Sequence, residues 1–275
     1  MKIHKNIILL ASTIISTSLF IGCNKIDGFL NSSNRNNTYF DFVNENNITK
    51  ISVQSTRDPG FKFIVTEGSA ITNTSNLLAK SKIATEKSKL EPDYKFEFHT
   101  RNEVQEFYYV VGSDSGNFYN DENIFTTSSR LDEGIIQNLS FIRQPRDFQY
   151  IYYESILKLI EKLKFERELS GYNIGVNITG DIDCLKYVYS VDIEKFIQNA
   201  NTIIPNIAMV NNNENEFDLT LTLENRGYDS TTYKTKIIVE DKKNNVIDNY
   251  YILGLNEYNN WDITISEMNK KPEKW

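Results

Sequence analysis

Two stretches far apart in the chain alternate between apolar and polar side chains, and that alternation limits what the chain can build. In YKFEFHT, Tyr94, Phe96 and Phe98 point one way while Lys95 and Glu97 point the other; in FDLTLTLEN, Phe217, Leu219, Leu221 and Leu223 repeat the pattern. A period of two belongs to strands that bury one face and wet the other. ISVQS and FKFIV have strand composition and flank the Asp58-Pro59-Gly60 turn signal. VQEFYYVVGS suits a hairpin partner for the first alternating strand, followed by a turn around Asp114, Ser115 and Gly116. YNIGVNITG, YKTKIIVED and NYYILGL read as further strands, the last two joined by Lys-Lys-Asn-Asn, and Trp261 and Ile263 begin a final one.

Helical spacing interrupts these strands four times. GSAITNTSNLLAKSKIATEK can place Ile71, Leu77, Leu78 and Ile83 on one face. Ser128 or Ser129 can cap RLDEGIIQNLSFIRQ, whose Leu131, Ile135, Ile136 and Leu139 fall together. The longest helix is predicted over 148–169, with Ile156, Leu159, Ile160 and Leu163 apolar and Gly171 as its C-cap. VDIEKFIQNANTII predicts a short helix starting near Asp192. Strands and helices thus come in blocks, which predicts an α+β fold with a largely antiparallel sheet and packed helices. The expected organisation is a first α+β domain over 48–144, a second over 145–268 and a polar tail over 269–275. Whether the two regions share one continuous sheet is left open by composition.

The N-terminus follows different rules. MKIHK is basic, and an uncharged apolar run from Ile7 to Ile21 follows it. That run is shorter than the roughly 20 residues a membrane-spanning helix needs, and the arrangement is that of an export signal. LFIGC resembles the lipobox of bacterial lipoproteins, with Phe20 standing where Leu is more usual. The resemblance implies a signal peptide over 1–22, lipidation of Cys23, and attachment through membrane lipid on the extracytoplasmic face of the cell membrane. Two or more acyl chains make such attachment stable. Residues 23–47, rich in Asn, Ser and acidic groups, read as a tether, with Tyr39–Val43 able to dock onto the first domain.

Charge and cysteine content narrow the partners. The chain has Lys+Arg 30 and Asp+Glu 37, net -7, and loss of Lys2 and Lys5 with the leader makes it more acidic still. An acidic chain with interspersed basic residues disfavours phosphate backbones, so no nucleic acid is expected. With Cys23 acylated only Cys184 remains, so no internal disulfide can form, and Cys184 reads as a buried thiol.

Catalytic chemistry finds little purchase. His99 is the one histidine beyond the leader, which argues against a His-pair zinc centre. A Ser-His-Asp arrangement would have to combine His99 with Asp114 and Ser115, yet GSDSG has the residues of a turn and not of a nucleophile elbow. Asp181 and Asp183, at i and i+2 in TGDID, would share one side of a strand and could bind calcium or act as a glycosidase pair. Asp114, Asn117, Asn120, Asp121 and Glu122 form a second oxygen-rich run. A solvated loop or strand end is the simpler reading of both, and no cofactor is implied. The 16 Tyr and 16 Phe are the remaining feature. Tyr108, Tyr109, Phe118 and Tyr119 on one hairpin, and Tyr150, Tyr152 and Tyr153 at a helix start, suit either a recognition surface or core packing.

EPDYKFEFHT, FYYVVGSDSGNFY and FTTS before a helix, with YNIGVNITGDID and NRGYDSTTYKTKIIVED further on, resemble the YhfM-like lipoproteins. The resemblance implies location and fold and brings no catalytic set. The expectation is a lipid-anchored envelope protein that binds or positions another envelope protein or a glycan. A carboxylate-dependent glycan hydrolase and a solute-binding receptor with a cleft between two lobes are the alternatives.

Overall fold

The computed structural model describes residues 37–128 except Glu45, Leu131, and residues 144–275 except Lys274. The expected signal peptide, Cys23 and the expected tether up to residue 36 lie outside the described residues, as do Ile135, Ile136 and Leu139 of the expected helix after Ser128. Leu131 is helical and buried.

The first alternating stretch becomes the middle of a seven-stranded antiparallel sheet. Its strands are β1 (Ile48–Ser55), β2 (Lys62–Val65), β3 (Lys82–Ile83), β4 (Tyr94–Thr100), β5 (Val104–Tyr109), β6 (Phe118–Tyr119) and β7 (Ile124–Thr126), in the order β2-β1-β4-β5-β6-β7-β3. Tyr94, Phe96 and Phe98 are buried, whereas Lys95 and Glu97 form an ion pair on the opposite face. On the buried face Phe107 and Phe118 stack at 4.8 Å, and Phe40 packs at 4.7 Å from Phe125. Phe40 belongs to a 3-10 turn, Thr38–Phe42, so the first core begins ahead of residue 48 and takes in Phe40 and Val43.

Helix α1 (Gly68–Leu78) covers this core with Ala70, Ile71, Thr74 and Leu78. It stops where the Ser81 amide donates to the Leu78 carbonyl. The expectation that Ile83 continues its apolar face is therefore corrected: Ile83 lies on β3 and is 80% exposed. The turn at Asp114–Gly116 forms as expected, and Gly116 is required there. Its φ is +56°, and a Cβ would come 2.0 Å from the Glu86 carbonyl oxygen.

The second alternating stretch lies in a separate sheet. Helix α2 (Phe148–Glu166) precedes β8 (Ile174–Asn177), α3 (Ile182–Leu185), α4 (Ser190–Ile203), β9 (Ile207–Met209), β10 (Leu219–Tyr228), β11 (Thr232–Asp241), β12 (Val246–Glu257) and β13 (Asn260–Ile265). The order is β13-β12-β11-β10-β8-β9. β10 to β13 are antiparallel, but β8 runs parallel to both β10 and β9, so this sheet is mixed. The crossover through α3 and α4 returns the chain in the same direction into β9, and the 210–218 connection then passes β8 to enter β10 in that direction too.

Ile156, Leu159, Ile160 and Leu163 of α2 are buried as expected, and Phe148, Ile151 and Tyr152 extend the buried face toward the N-terminus. α2 ends earlier than 169, because Arg167 turns extended and its guanidinium meets the Asp248 carboxylate at 2.5 Å. Gly171 consequently sits in the next turn and not at the C-cap. The C-terminal tail is not purely solvent-borne: Trp275 packs edge-on at 4.8 Å against Tyr251 and donates to the Ile252 carbonyl.

The two sheets share no strand, and each encloses its own apolar cluster. The architecture is α+β with two packed units. No helix among the described residues is long and apolar enough to cross a membrane.

A candidate ligand-binding cleft between the two sheets

Where the units meet, a single carboxylate organises the contact. Asp93 stands at the entry to β4, after Pro92, with its side chain 1% exposed. Its Oδ1 accepts from Arg57 Nη1 at 2.5 Å and from the Ser190 backbone amide at 2.8 Å, and its Oδ2 accepts from the Val111 amide at 2.8 Å. Arg57, on the loop after β1, also donates to Ser190 Oγ and to the Val188 carbonyl. Ser190 Oγ in turn donates to the Glu91 carbonyl at 2.6 Å. Ser190 opens α4, so this network ties the first sheet to the first turn of a helix in the second unit. Burial raises the Asp93 carboxyl above its ordinary range, while Arg57 and the Ser190 and Val111 amides oppose that rise.

Above this junction lies a cleft of about 860 Å³, a size within the range of small-molecule and peptide sites. The first unit contributes Thr56, Arg57 and the loop Lys89–Pro92. The second contributes Ile193, Glu194, Ile197 and Gln198 of α4 and residues 209–211 at the end of β9 and just beyond it, with Ile178 and Leu185 deeper in. The cleft therefore opens at the carboxyl ends of the two parallel strands β8 and β9, where open α/β sheets leave a crevice beside the crossover. Its walls are mostly aliphatic, and Lys89, Glu91 and Glu194 place both signs of charge around it.

Most of the aromatic residues considered for a recognition surface are instead core. Tyr109, Phe118, Tyr152 and Tyr153 are buried because their positions on β5, β6 and the inner side of α2 face the two cores, and Tyr119, on the opposite face of β6, is buried beside Tyr108 and Lys87. Of that set, Tyr108 and Tyr150 (50% exposed) reach solvent, and they sit on different units.

The acidic candidates separate as well. Asp181 and Asp183 do not lie on a strand. Asp181 is the residue before α3 and is 1% exposed, with Oδ1 accepting from the Asn225 amide at 2.9 Å, whereas Asp183 points outward from the first turn. A helical turn sends i and i+2 in different directions, so the expected pair is not formed. Burial raises the Asp181 carboxyl, with the Tyr152 hydroxyl beside it opposing the rise. Asp114 and Asp121 are exposed in separate turns, where Asn117 Oδ1 and Asn120 Oδ1 accept from backbone amides. Among the described residues no group of three or more His, Cys, Asp or Glu could hold a metal ion.

His99 pairs with Val104 at one end of the β4–β5 hairpin, and Tyr94 pairs with Tyr109 at the other. Asp114 and Ser115 follow Tyr109, so the length of a strand, roughly 17 Å, separates them from His99. No triad forms there. Cys184 is buried, and burial pushes its thiol well up, as a structural thiol requires.

Arg57 and Ser190 of the cleft, and Asp93 buried beneath it, were not among the sequence candidates. Their one local signal is an aspartate placed between Pro92 and an alternating strand, where a charge at a strand entry needs a partner.

Fold and cleft define a two-unit α+β chain with a recess at the junction. Residues 44–145 match the YhfM protein family, less than half of the chain. The match includes the Arg57–Asp93 side of the cleft and stops short of the α4 side. No curated protein and no solved structure matches the chain.

Proposed function

We propose that the chain is a lipid-anchored cell-envelope protein that works as a non-enzymatic binding module, holding its ligand in the cleft between the two sheets. The observation that carries this reading is the cleft itself: aliphatic walls from both units above a fully engaged Arg57–Asp93–Ser190 network. Every strong polar group at its base is spent on joining the units, which suits holding a ligand better than transforming one. The basic leader, the uncharged run to Ile21 and the LFIGC sequence support attachment through Cys23. A solute-binding receptor is the second reading, favoured by the same recess between two units; a glycan hydrolase loses its support with the dispersal of Asp181 and Asp183.

Two substitutions test the proposal in intact cells. Cys23→Ser is expected to move the protein from the membrane fraction to the soluble exported fraction; unchanged membrane retention would contradict the anchor. A photoreactive benzoylphenylalanine at Ile197 is expected to give a discrete adduct that the same group at Tyr150 does not. Adducts at Tyr150 alone would place binding on the outer surface and refute the cleft.

A further inference from the structure

The edge strand of the second sheet adds a chemical constraint on what the cleft can hold. β9 pairs with β8 alone, in parallel register. The Ile174 amide donates to the Asn206 carbonyl and the Val210 amide donates to the Val176 carbonyl. In a parallel ladder this alternation turns the amides and carbonyls of Asn206, Ala208 and Val210 toward β8, and those of Ile207 and Met209 outward.

The two outward residues are treated differently. At Ile207, the Asn201 side chain imitates a neighbouring strand: its Oδ1 accepts from the Ile207 amide at 3.0 Å and its Nδ2 donates to the Ile207 carbonyl at 2.8 Å. At Met209, neither group has a hydrogen-bond partner among the described residues. Met209 lies about 6.6 Å further along the strand. One turn back along α4 from Asn201, about 6 Å, come Ile197 and Gln198. Met209, Ile197 and Gln198 all line the cleft. The open donor and acceptor of Met209 thus border it.

We propose that the ligand is an extended peptide segment, one of whose residues pairs through both its N–H and its C=O with Met209, with neighbouring apolar side chains seated against Leu90, Ile178, Leu185 and Ile193. The unpaired amide and carbonyl of an edge strand are a template for a further strand, which supplies partners to both at the correct spacing while its alternate side chains enter the pockets. An acyl chain would fill the same aliphatic walls and leave both groups unmet. This inference rests on the cleft being the binding site and adds the class of ligand.

The full chain in detergent micelles is screened against a pooled library of terminally blocked hexapeptides, randomised at every position. Selected peptides are expected to carry apolar residues at alternating positions and to slow hydrogen exchange of the Met209 amide at least tenfold. N-methylation of the peptide residue paired with Met209 is expected to weaken binding at least tenfold. Binders indifferent to N-methylation at every position, or a library without binders, would overturn the inference. Laurate, added as a second probe, separates the levels: occupancy of the cleft by laurate with no peptide binding leaves the cleft reading standing and removes the peptide. Binding of neither probe there removes both.

Discussion

Asp93 shows how one buried charge can hold two units together. Its carboxylate accepts three hydrogen bonds, from Arg57 and from the Ser190 and Val111 amides, and Arg57 carries the network on to Val188 and Ser190 Oγ. Removing one member of a buried ion pair strands the other, a change that costs about 3 kcal/mol or more. Asp93→Ala is therefore expected to lower stability by about 3 kcal/mol in urea unfolding, and a loss within experimental error would show that the network contributes nothing net. Glu97 illustrates the opposite setting, on the outer face of the first sheet. Lys95 Nζ lies 2.7 Å from it and Lys62 Nζ 3.4 Å, with His99 Nε2 also at 3.4 Å. The Lys95 hydrogen bond leads in lowering its carboxyl from 4.5 to about 2, against an opposing effect of burial. A depressed folded value means that this stabilisation is present above pH 4.5 and is lost as pH falls toward about 2. Glu97→Gln is expected to flatten the acid limb of the melting temperature in that window. At neutral pH its cost stays near 1 kcal/mol, since water screens a pair on an open sheet face.

At the scale of elements, the long periodic segments were legible and the short ones were not. Tyr94, Phe96 and Phe98, and Leu219, Leu221 and Leu223, alternate over enough residues to define β4 and β10 from pattern alone. β3 and β6 have two residues each, too few for any period, and exist because β7 and β5 offer them a ladder. The parallel pairing of β8 was hidden for another reason: all four of its residues are buried, so no alternation marks either face. The Arg57–Asp93–Ser190 junction was illegible because its members come from three distant segments, and only the fold brings them together. Turn chemistry was the most transparent signal. Asp58-Pro59-Gly60 closes with the Phe61 amide on the Asp58 carbonyl, and Gly116 accepts a left-handed φ against the 86–88 loop. Gly116→Ala combines that φ with a clash against backbone and is expected to cost more than about 2 kcal/mol. A thermal melt within two degrees of the parent would contradict the close approach.

For the whole molecule, the consequence is a division of labour. Two sheets with independent cores need no shared strand, and the buried ion pair fixes them where the carboxyl ends of β8 and β9 face the Lys89–Pro92 loop. The aromatic wealth, which suited either core packing or a recognition surface, has gone largely into those cores, and the recess is an apolar surface that both units share. The most direct test of this account is hydrogen exchange read by mass spectrometry, comparing the chain in its native membranes with the purified chain. The account predicts protection in the membranes at the segments that line the cleft, around Arg57, Leu90, Ile193–Gln198 and Met209, with Tyr108 and Tyr150 unchanged. Protection confined to Tyr108 or Tyr150, with the cleft segments exchanging equally in both samples, would contradict it.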